Sequence, residues 1–229
     1  EQVHKGLGEM QTIATGVGDL KKVLSNVKTK GTFGEYQLGN ILEQILTPDQ
    51  YDKNVKTNLD YNGSVEYAVK LPGSDKDNTI WLPIDSKFPT ESYEVLLDEY
   101  ENADKDSIEI ARKNFISSID KFAKDISSKY IGPPNTTDFA VMFLPVEGLF
   151  AEALREPDIM GRLREKYKIT LTGPTTLSAL LNSLRMGFNT LIVQKRSSEV
   201  WNILASVKTE FSTFGQQLTK VRNQLSTAS

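Results

Sequence analysis

Ile84-Asp85-Ser86-Lys87 is the stretch of this sequence best suited to chemistry. Asp85 and Lys87 stand two apart in a run that alternates like a β-strand. Both side chains therefore point to one face, roughly 6.5–7 Å apart along the chain. A carboxylate beside an ammonium suits a metal ligand next to a group that orients water. The same pair also makes a structural salt bridge, and a D-x-K spacing alone does not separate the two. Glu66 lies on the polar face of a neighbouring predicted strand. If it pairs opposite Asp85 or Lys87, the three groups cluster; a one-residue slip sends it to the other face. Glu35 sits in the first turn of a predicted helix, in line with the apolar residues Leu38, Ile41, Leu42, Ile45 and Leu46. A carboxylate there is costly to bury unless paired or bound to a cation. In a first turn it also meets the positive end of the helix dipole. Three carboxylates and a lysine suit Mg²⁺ (or Mn²⁺), a hard cation that takes one or two protein carboxylates plus waters and phosphate oxygens. Such an ion neutralises charge building on a phosphorane-like transition state.

Composition narrows the chemistry to the same groups. The chain has 229 residues, no cysteine and one histidine, His4, read as a solvated surface residue. Thiolate zinc sites, cysteine nucleophiles and disulfides are excluded, and a Ser-His-Asp triad has no support. No run of 18 apolar residues occurs, and no charged start precedes an apolar run. No membrane contact, no signal peptide and a cytoplasmic location are therefore expected for this stretch. The net charge of −3 argues against a nucleic-acid binder. Its distribution does not: residues 155–229 hold 11 Lys/Arg against 5 Asp/Glu, a balance of +6 that leaves −9 in residues 1–154. Such asymmetry points weakly to a polyanionic partner, solvated helix faces being the plainer reading.

The elements that must position these residues follow from periodicity. Residues 4–28 read as a helix with Val3, Met10, Ile13, Val17, Leu20, Leu24 and Val27 at heptad-like spacing, the tail of a coiled coil. The chain opens on Glu1, which is read as the start of an excised fragment. Gly31 and Gly34 are expected to break the helix, and a second one runs from about Phe33 to Leu46. Strands are expected at 51–58, 63–71 and 79–88, with Val65, Tyr67, Val69 and Leu71 facing opposite to Glu66 and Lys70. Pro83 cannot donate to a ladder, so a bulge or a free edge is expected there. Helices at about 91–101 and 105–129 follow. The apolar run 139–144 reads as a strand buried on both faces. Short helices at 147–154 and 157–166 precede a last strand at 168–172. A helix opens at Gly173-Pro174 and runs to about Phe188, with proline at its first position. Another spans roughly 191–226. The order predicts an α/β fold, a mixed central sheet flanked by helices, with long helical arms at both ends. It divides into a helical segment (1–29), an α/β core (30–190) and a long C-terminal helix (191–229).

Four stretches together resemble the RmuC family of DNA recombination proteins. Lys30-Gly31-Thr32-Phe33-Gly34-Glu35-Tyr36-Gln37-Leu38 is similar to its R-G-x-W-G-E-x-x-L opening. Leu82-Pro83-Ile84-Asp85-Ser86-Lys87-Phe88-Pro89 resembles its I-D-A-K-F-P box. Phe143-Leu144-Pro145-Val146-Glu147 resembles its F-x-P-x-E segment. Gly173-Pro174-Thr175-Thr176-Leu177-Ser178-Ala179-Leu180-Leu181 resembles its S-P-T-T-L-x-x-L-L segment. The resemblance covers about residues 30–215. It implies a restriction-endonuclease-like core of the PD-(D/E)-x-K type, with Glu35 the helical acid, Asp85 the central metal ligand and Lys87 the catalytic lysine. The family's P-D pair falls on Val65-Glu66, where proline is absent and glutamate replaces aspartate. Phe33 for Trp and Lys30 for Arg are milder departures. The implied role is bacterial DNA recombination, limiting rearrangement at inverted repeats. Members usually carry an amino-terminal hydrophobic segment and a long coiled coil ahead of this domain.

The expected function is therefore a Mg²⁺-dependent DNA phosphodiester hydrolase with catalytic Glu35, Glu66, Asp85 and Lys87, the three acids being its metal ligands. A DNA-binding scaffold without turnover and a homo-oligomer built through the terminal helices are the alternatives. Lys195, Arg196, Arg185 and Thr175 are weaker DNA-contact candidates, the last at a helix N-terminus that could seat a phosphate. Glu147 is expected to cap the helix after Pro145, or to act as an accessory group. Trp81 and Trp201 are assigned to packing.

Overall fold

The computed structural model describes residues 27–72, 79–102 and 104–227. Helix α1 covers Val27–Ile45, followed by strands β1 (Tyr51–Val55), β2 (Val65–Pro72) and β3 (Thr79–Ser86). Helices α2 (Thr90–Asn102) and α3 (Lys105–Tyr130) lead to β4 (Ala140–Phe143). Helices α4 (Glu147–Ala153) and α5 (Ile159–Tyr167) lead to β5 (Ile169–Thr172), and α6 covers Pro174–Thr227. The chain divides into two units, Glu1–Asn182 and Ser183–Ser229.

The five strands form one mixed sheet in the order β1-β2-β3-β4-β5. β1, β2 and β3 are antiparallel, and β3, β4 and β5 are parallel. This is the α/β fold with a mixed central sheet flanked by helices that the alternation of elements predicts. Strand β3 is where the two halves meet. Both faces of the sheet are covered. Val65, Tyr67, Val69, Leu82, Ile84, Val141 and Phe143 alternate onto one face. Helix α1 lies on that face: a Cβ at Gly39 would touch the Tyr67 ring. Its Leu38 and Leu42 are fully buried. Met142, Ala140, Leu171 and Ile169 alternate onto the other face, in one apolar cluster with Phe115, Ile119 and Ala123 of α3 and with residues of α2, α4 and α5. Each fully buried Leu, Ile, Phe or Met in such a core is worth about 1.5–3 kcal/mol.

Three sequence expectations change. Gly31 and Gly34 do not break the first helix, which runs through both. Glycine costs a helix interior about 1 kcal/mol relative to alanine, and packing overrides it here: a Cβ on Gly34 would strike Ser86 Oγ and touch Pro145. The two helices expected over 173–226 are one, α6. Pro83 makes neither a bulge nor an edge. It pairs with Ala68 inside an unbroken β2–β3 register. Its missing N–H falls on the β4 side, where the Trp81 bridge to Thr136 has ended and the ladder has not resumed at Ile84–Val141. Residues 1–26, including His4 and most of the heptad-like stretch, and the side chain of Trp201 lie outside the described ones. Trp81 is half-buried under the Lys70 ammonium, 5.7 Å from its ring centroid.

The Gly34 approach is testable. Gly34→Ala is expected to destabilise the protein by about 1–3 kcal/mol, the usual range for overpacking, despite alanine's better helix propensity. A chemical-denaturation midpoint equal to or above wild type would show that α1 does not press on Ser86.

Candidate functional site

The β2–β3 register pairs Tyr67 with Ile84 and Ala68 with Pro83. Continued by one residue, it sets Glu66 opposite Asp85, on the same face of the sheet. The ladder has ended at that point, which would leave the Ser86 N–H without a strand partner. Glu66 supplies one: its Oε2 accepts that N–H at 3.3 Å. Asp85 is 1% exposed, and its Oδ2 lies 2.6 Å from Lys87 Nζ. This is a close ion contact without hydrogen-bond alignment, since the buried Oδ2 has no aligned donor. The Lys87 N–H is fixed by the Phe143 carbonyl at 2.9 Å, which ties the lysine to β4. Asp85, Lys87 and Glu66 thus meet at the end of β3 that adjoins the carboxyl ends of β4 and β5, the edge at which α/β sheets bind ligands.

The electrostatics follow from burial. Desolvation pushes the Asp85 carboxyl above its ordinary value, and Lys87 pulls against it. Glu66 is pushed up to about 7, first by desolvation and then by the Asp85 charge; Lys87 and the Ser86 N–H act the other way. The Asp85 charge thus weighs against ionisation of its neighbour Glu66.

Glu35 sits on α1, exposed, near enough to add to the repulsion at Glu66. Among the described residues no three carboxylates close tightly enough to hold a cation by themselves. What fits a divalent ion is the smaller set: Asp85 with an unaligned buried oxygen, and Glu66 beside it. Both are hard oxygen donors, and the remaining positions would be left to water and phosphate.

Glu147 does not cap its own helix, where Val146 stands at the N-cap without a side-chain bond. It reaches instead to α6, and its Oε2 accepts the Thr175 N–H at 3.3 Å. The Gly173-Pro174-Thr175-Thr176 start therefore already holds a carboxylate at the place that could have seated a phosphate. Thr176 closes the same turn, its Oγ1 accepting the Gly173 N–H at 2.8 Å. Arg185 is exposed on α6. Lys195 and Arg196 belong to α6, but their side chains lie outside the described ones.

The residue that sequence reasoning missed is Tyr130, the last of α3. Its carbonyl accepts the Thr57 hydroxyl at 2.9 Å and its ring meets that of Tyr61 edge-on, both from the β1–β2 connection; burial, then the Asp85 charge, hold its own proton on well above the ordinary tyrosine range. Nothing in its spacing marks it, because 45 residues separate it from Asp85.

Comparison with known proteins decides the family. The RmuC family model matches residues 1–229. The chain belongs to the RmuC family. It is 52% identical over 228 residues to the "DNA recombination protein RmuC homolog" of Xylella fastidiosa (strain Temecula1 / ATCC 700964), covering 99% of this chain and 50% of that protein. It is 25% identical over 235 residues to the Pseudomonas aeruginosa homolog, covering 98% and 48%. It is 27% identical over 212 residues to "DNA recombination protein RmuC" of Escherichia coli (strain K12), covering 86% and 42%. The chain thus spans about half the length of the curated RmuC relatives it matches. No solved structure matches it. Among the described residues no helix is long and apolar enough to cross a membrane.

The Glu147 contact separates a structural from a catalytic role for that residue. Glu147→Ala is expected to cost about 1 kcal/mol, as loss of a helix cap does, while Glu147→Gln retains most of it because the amide oxygen still accepts. Equal melting temperatures for wild type and Glu147→Ala would show that the bond to Thr175 carries no stability.

Proposed function

We propose that this RmuC domain is a divalent-cation-dependent DNA phosphodiester hydrolase on a restriction-endonuclease-like core, serving DNA recombination at inverted repeats. One observation carries the reading: Asp85, Glu66 and Lys87 share one face at the end of β3, and the buried Asp85 Oδ2 lacks an aligned hydrogen bond. Asp85 and Glu66 would hold Mg²⁺ or Mn²⁺, with Glu35 reaching in through water. When bound, the ion would polarise the scissile phosphate and lower the pKa of a coordinated water. Lys87 is tethered through its backbone to β4 and faces the same spot. It would orient the attacking water or hold the charge that grows on the phosphate oxygens. The relatives, named as DNA recombination proteins, and the four motifs support the DNA substrate. Strength on DNA would depend on the basic last third of the chain, Arg185, Lys195 and Arg196 included, and fall steeply with salt.

The test uses labelled duplex, single-stranded and hairpin DNA with Mg²⁺ or Mn²⁺. Wild type is expected to cleave at least one, and Asp85→Asn and Lys87→Ala to lower the rate by about 100-fold or more, ~2.7 kcal/mol in barrier. Salt-sensitive binding without cleavage in any of these conditions would replace the enzyme by the DNA-binding scaffold.

A second reading concerns assembly. Leu204, Val207, Phe211 and Phe214 of α6 are 44–72% exposed at spacings of three, four and three, the seam of a coiled coil. Residues 10–27 carry the same spacing. Set in parallel on this seam, that stretch of a second copy would place Glu9 opposite Lys208 and Lys21 opposite Glu210. Sedimentation at tens of micromolar is expected to give a dimer that Lys21→Glu weakens and Lys21→Glu with Glu210→Lys restores. A monomer at all concentrations would dispose of it.

A further inference from the structure

Two large apolar side chains, Tyr36 and Leu59, each stand 67% exposed at the edge that carries Asp85, Glu66 and Lys87. β1 and β3 both end at that edge and β2 begins there, so the 56–64 connection leaves and re-enters the sheet beside Glu66. Leu59 is held at a turn within it. The Tyr61 N–H closes that turn on the Asn58 carbonyl at 3.4 Å, and the Asp60 N–H bonds Asn58 Oδ1 at 3.0 Å. The turn is anchored on α3: the buried Thr57 hydroxyl bonds the Tyr130 carbonyl at 2.9 Å, and the Tyr61 and Tyr130 rings meet edge-on with centroids 6.0 Å apart. α3 packs on the face of the sheet to which Asp85 and its pair Met142 belong. Tyr36 belongs to α1, on the opposite face. It lies half a turn past Gly34, whose approach to Ser86 sets that part of the helix against the end of β3.

Single exposed apolar residues are common. Here two bracket one edge, one from each face of the sheet, and Leu59 is presented by a turn that is itself anchored. Cations for an anionic chain stand at the same edge: Lys87, exposed Lys56 at the start of the connection, and Lys129, which precedes the Tyr130 anchor and is 3.6 Å from Asp125. Exposed Glu35 and Asp60 offset part of that charge, so phosphate attraction alone is weak there and the apolar pair adds what it lacks. A duplex turns its charged backbone outward and keeps its base faces stacked, so it offers an apolar side chain little. The bases flanking one phosphate of a stacked strand are also only roughly 3.4 Å apart, whereas packed layers of a fold stand roughly 10 Å apart. A strand with splayed bases can reach both residues; a stacked one cannot. We propose that this site takes DNA with unpaired, unstacked bases: Tyr36 stacks a base on one side of the phosphate held at Asp85 and Glu66, and Leu59 packs against a base on the other side. The proposal rests on the DNA-hydrolase reading above and narrows its substrate. Stacking on an aromatic ring tolerates any base, so the preference is for the state of the strand and not for its sequence.

The experiment reads binding by fluorescence anisotropy on the whole chain in Ca²⁺, a hard cation for the same oxygen ligands. The probes are a labelled single strand and the matching duplex at equal salt. Wild type is expected to prefer the single strand. Tyr36→Ala is expected to weaken single-strand binding about 5–100-fold, the range for loss of one base stack, and Leu59→Ser to weaken it less. Neither changes duplex binding, which phosphate contacts carry. Tyr36→Phe keeps the ring and the wild-type affinity. A 2-aminopurine in the strand is expected to be quenched on binding wild type and Tyr36→Phe, but not Tyr36→Ala. Both side chains are exposed, so the variants keep the fold, as circular dichroism and melting verify. Wild-type single-strand affinity in Tyr36→Ala, or the same loss on duplex as on single strand, overturns the proposal and leaves the hydrolase to its own cleavage assay. Binding of neither DNA by wild type, in Ca²⁺ or in Mg²⁺, overturns the DNA reading and this proposal with it.

Discussion

Burying the carboxylate of Asp85 is the constraint around which the rest of this domain is arranged. An unpaired ionised group in an apolar interior costs several kcal/mol. Here the cost is met locally and from a distance. Lys87, two residues on, brings its ammonium to 2.6 Å. Its backbone is tied to β4 through the Phe143 carbonyl, so the lysine is not free to leave. Strand β3 ends where antiparallel pairing with β2 has stopped and parallel pairing with β4 continues. Only such a switch leaves a backbone N–H, that of Ser86, for Glu66 to take. The acid–acid–lysine grouping is thus a product of sheet topology as much as of residue choice.

The four RmuC motifs lie far apart in the chain but act on one another in the fold. Gly34 of the first sits where a side chain would collide with Ser86 of the second and touch Pro145 of the third. Glu147 of the third accepts the Thr175 N–H of the fourth. Gly173 of the fourth packs so close to Phe150, just beyond the third, that a Cβ there would overlap the ring. Two glycines therefore serve close approach, with negative φ in both. The motifs describe one packed junction at the carboxyl ends of β3, β4 and β5. Much of their chemistry is mutual support: Glu147 holds a helix start, and Gly34 lets α1 sit against the strand that bears Asp85.

Local periodicity was enough to read the strands and most of the helices, though not where the first and last helices run on. Alternation placed β2 and β3 to within two residues, and the uninterrupted apolar run 139–144 announced a strand covered on both faces, as the complete burial of Ala140–Phe143 bears out. Juxtapositions were harder to read. The register of Glu66 against Asp85 could not be read because Pro83 argued for a disrupted ladder; its missing N–H matters only on the β4 side, which a strand seen in isolation does not reveal. The glycines of the first motif looked like helix breakers because propensity is local, whereas the reason for Gly34, its approach to Ser86 and Pro145, is not. Tyr130 carried no signal at all, since a tyrosine ending an amphipathic helix is ordinary until the β1–β2 connection is known to clamp it.

The substitution of Val65-Glu66 for the family's P-D pair is accommodated by the same geometry. Val65 is fully buried and pairs with Val55 across the β1–β2 ladder, where its side chain adds to the core. Glu66 has one methylene more than aspartate, and it uses that reach to meet the Ser86 N–H beyond the last ladder pair. An aspartate at the same Cα would fall short by about one carbon–carbon bond, leaving that donor to water. The longer side chain thus does two things: it closes the strand end, and it brings its carboxylate alongside Asp85. The negative net charge of the chain is then no objection to the DNA substrate proposed above: a cation bound by the acids at this edge would offset part of it, and the positive excess lies in residues 155–229.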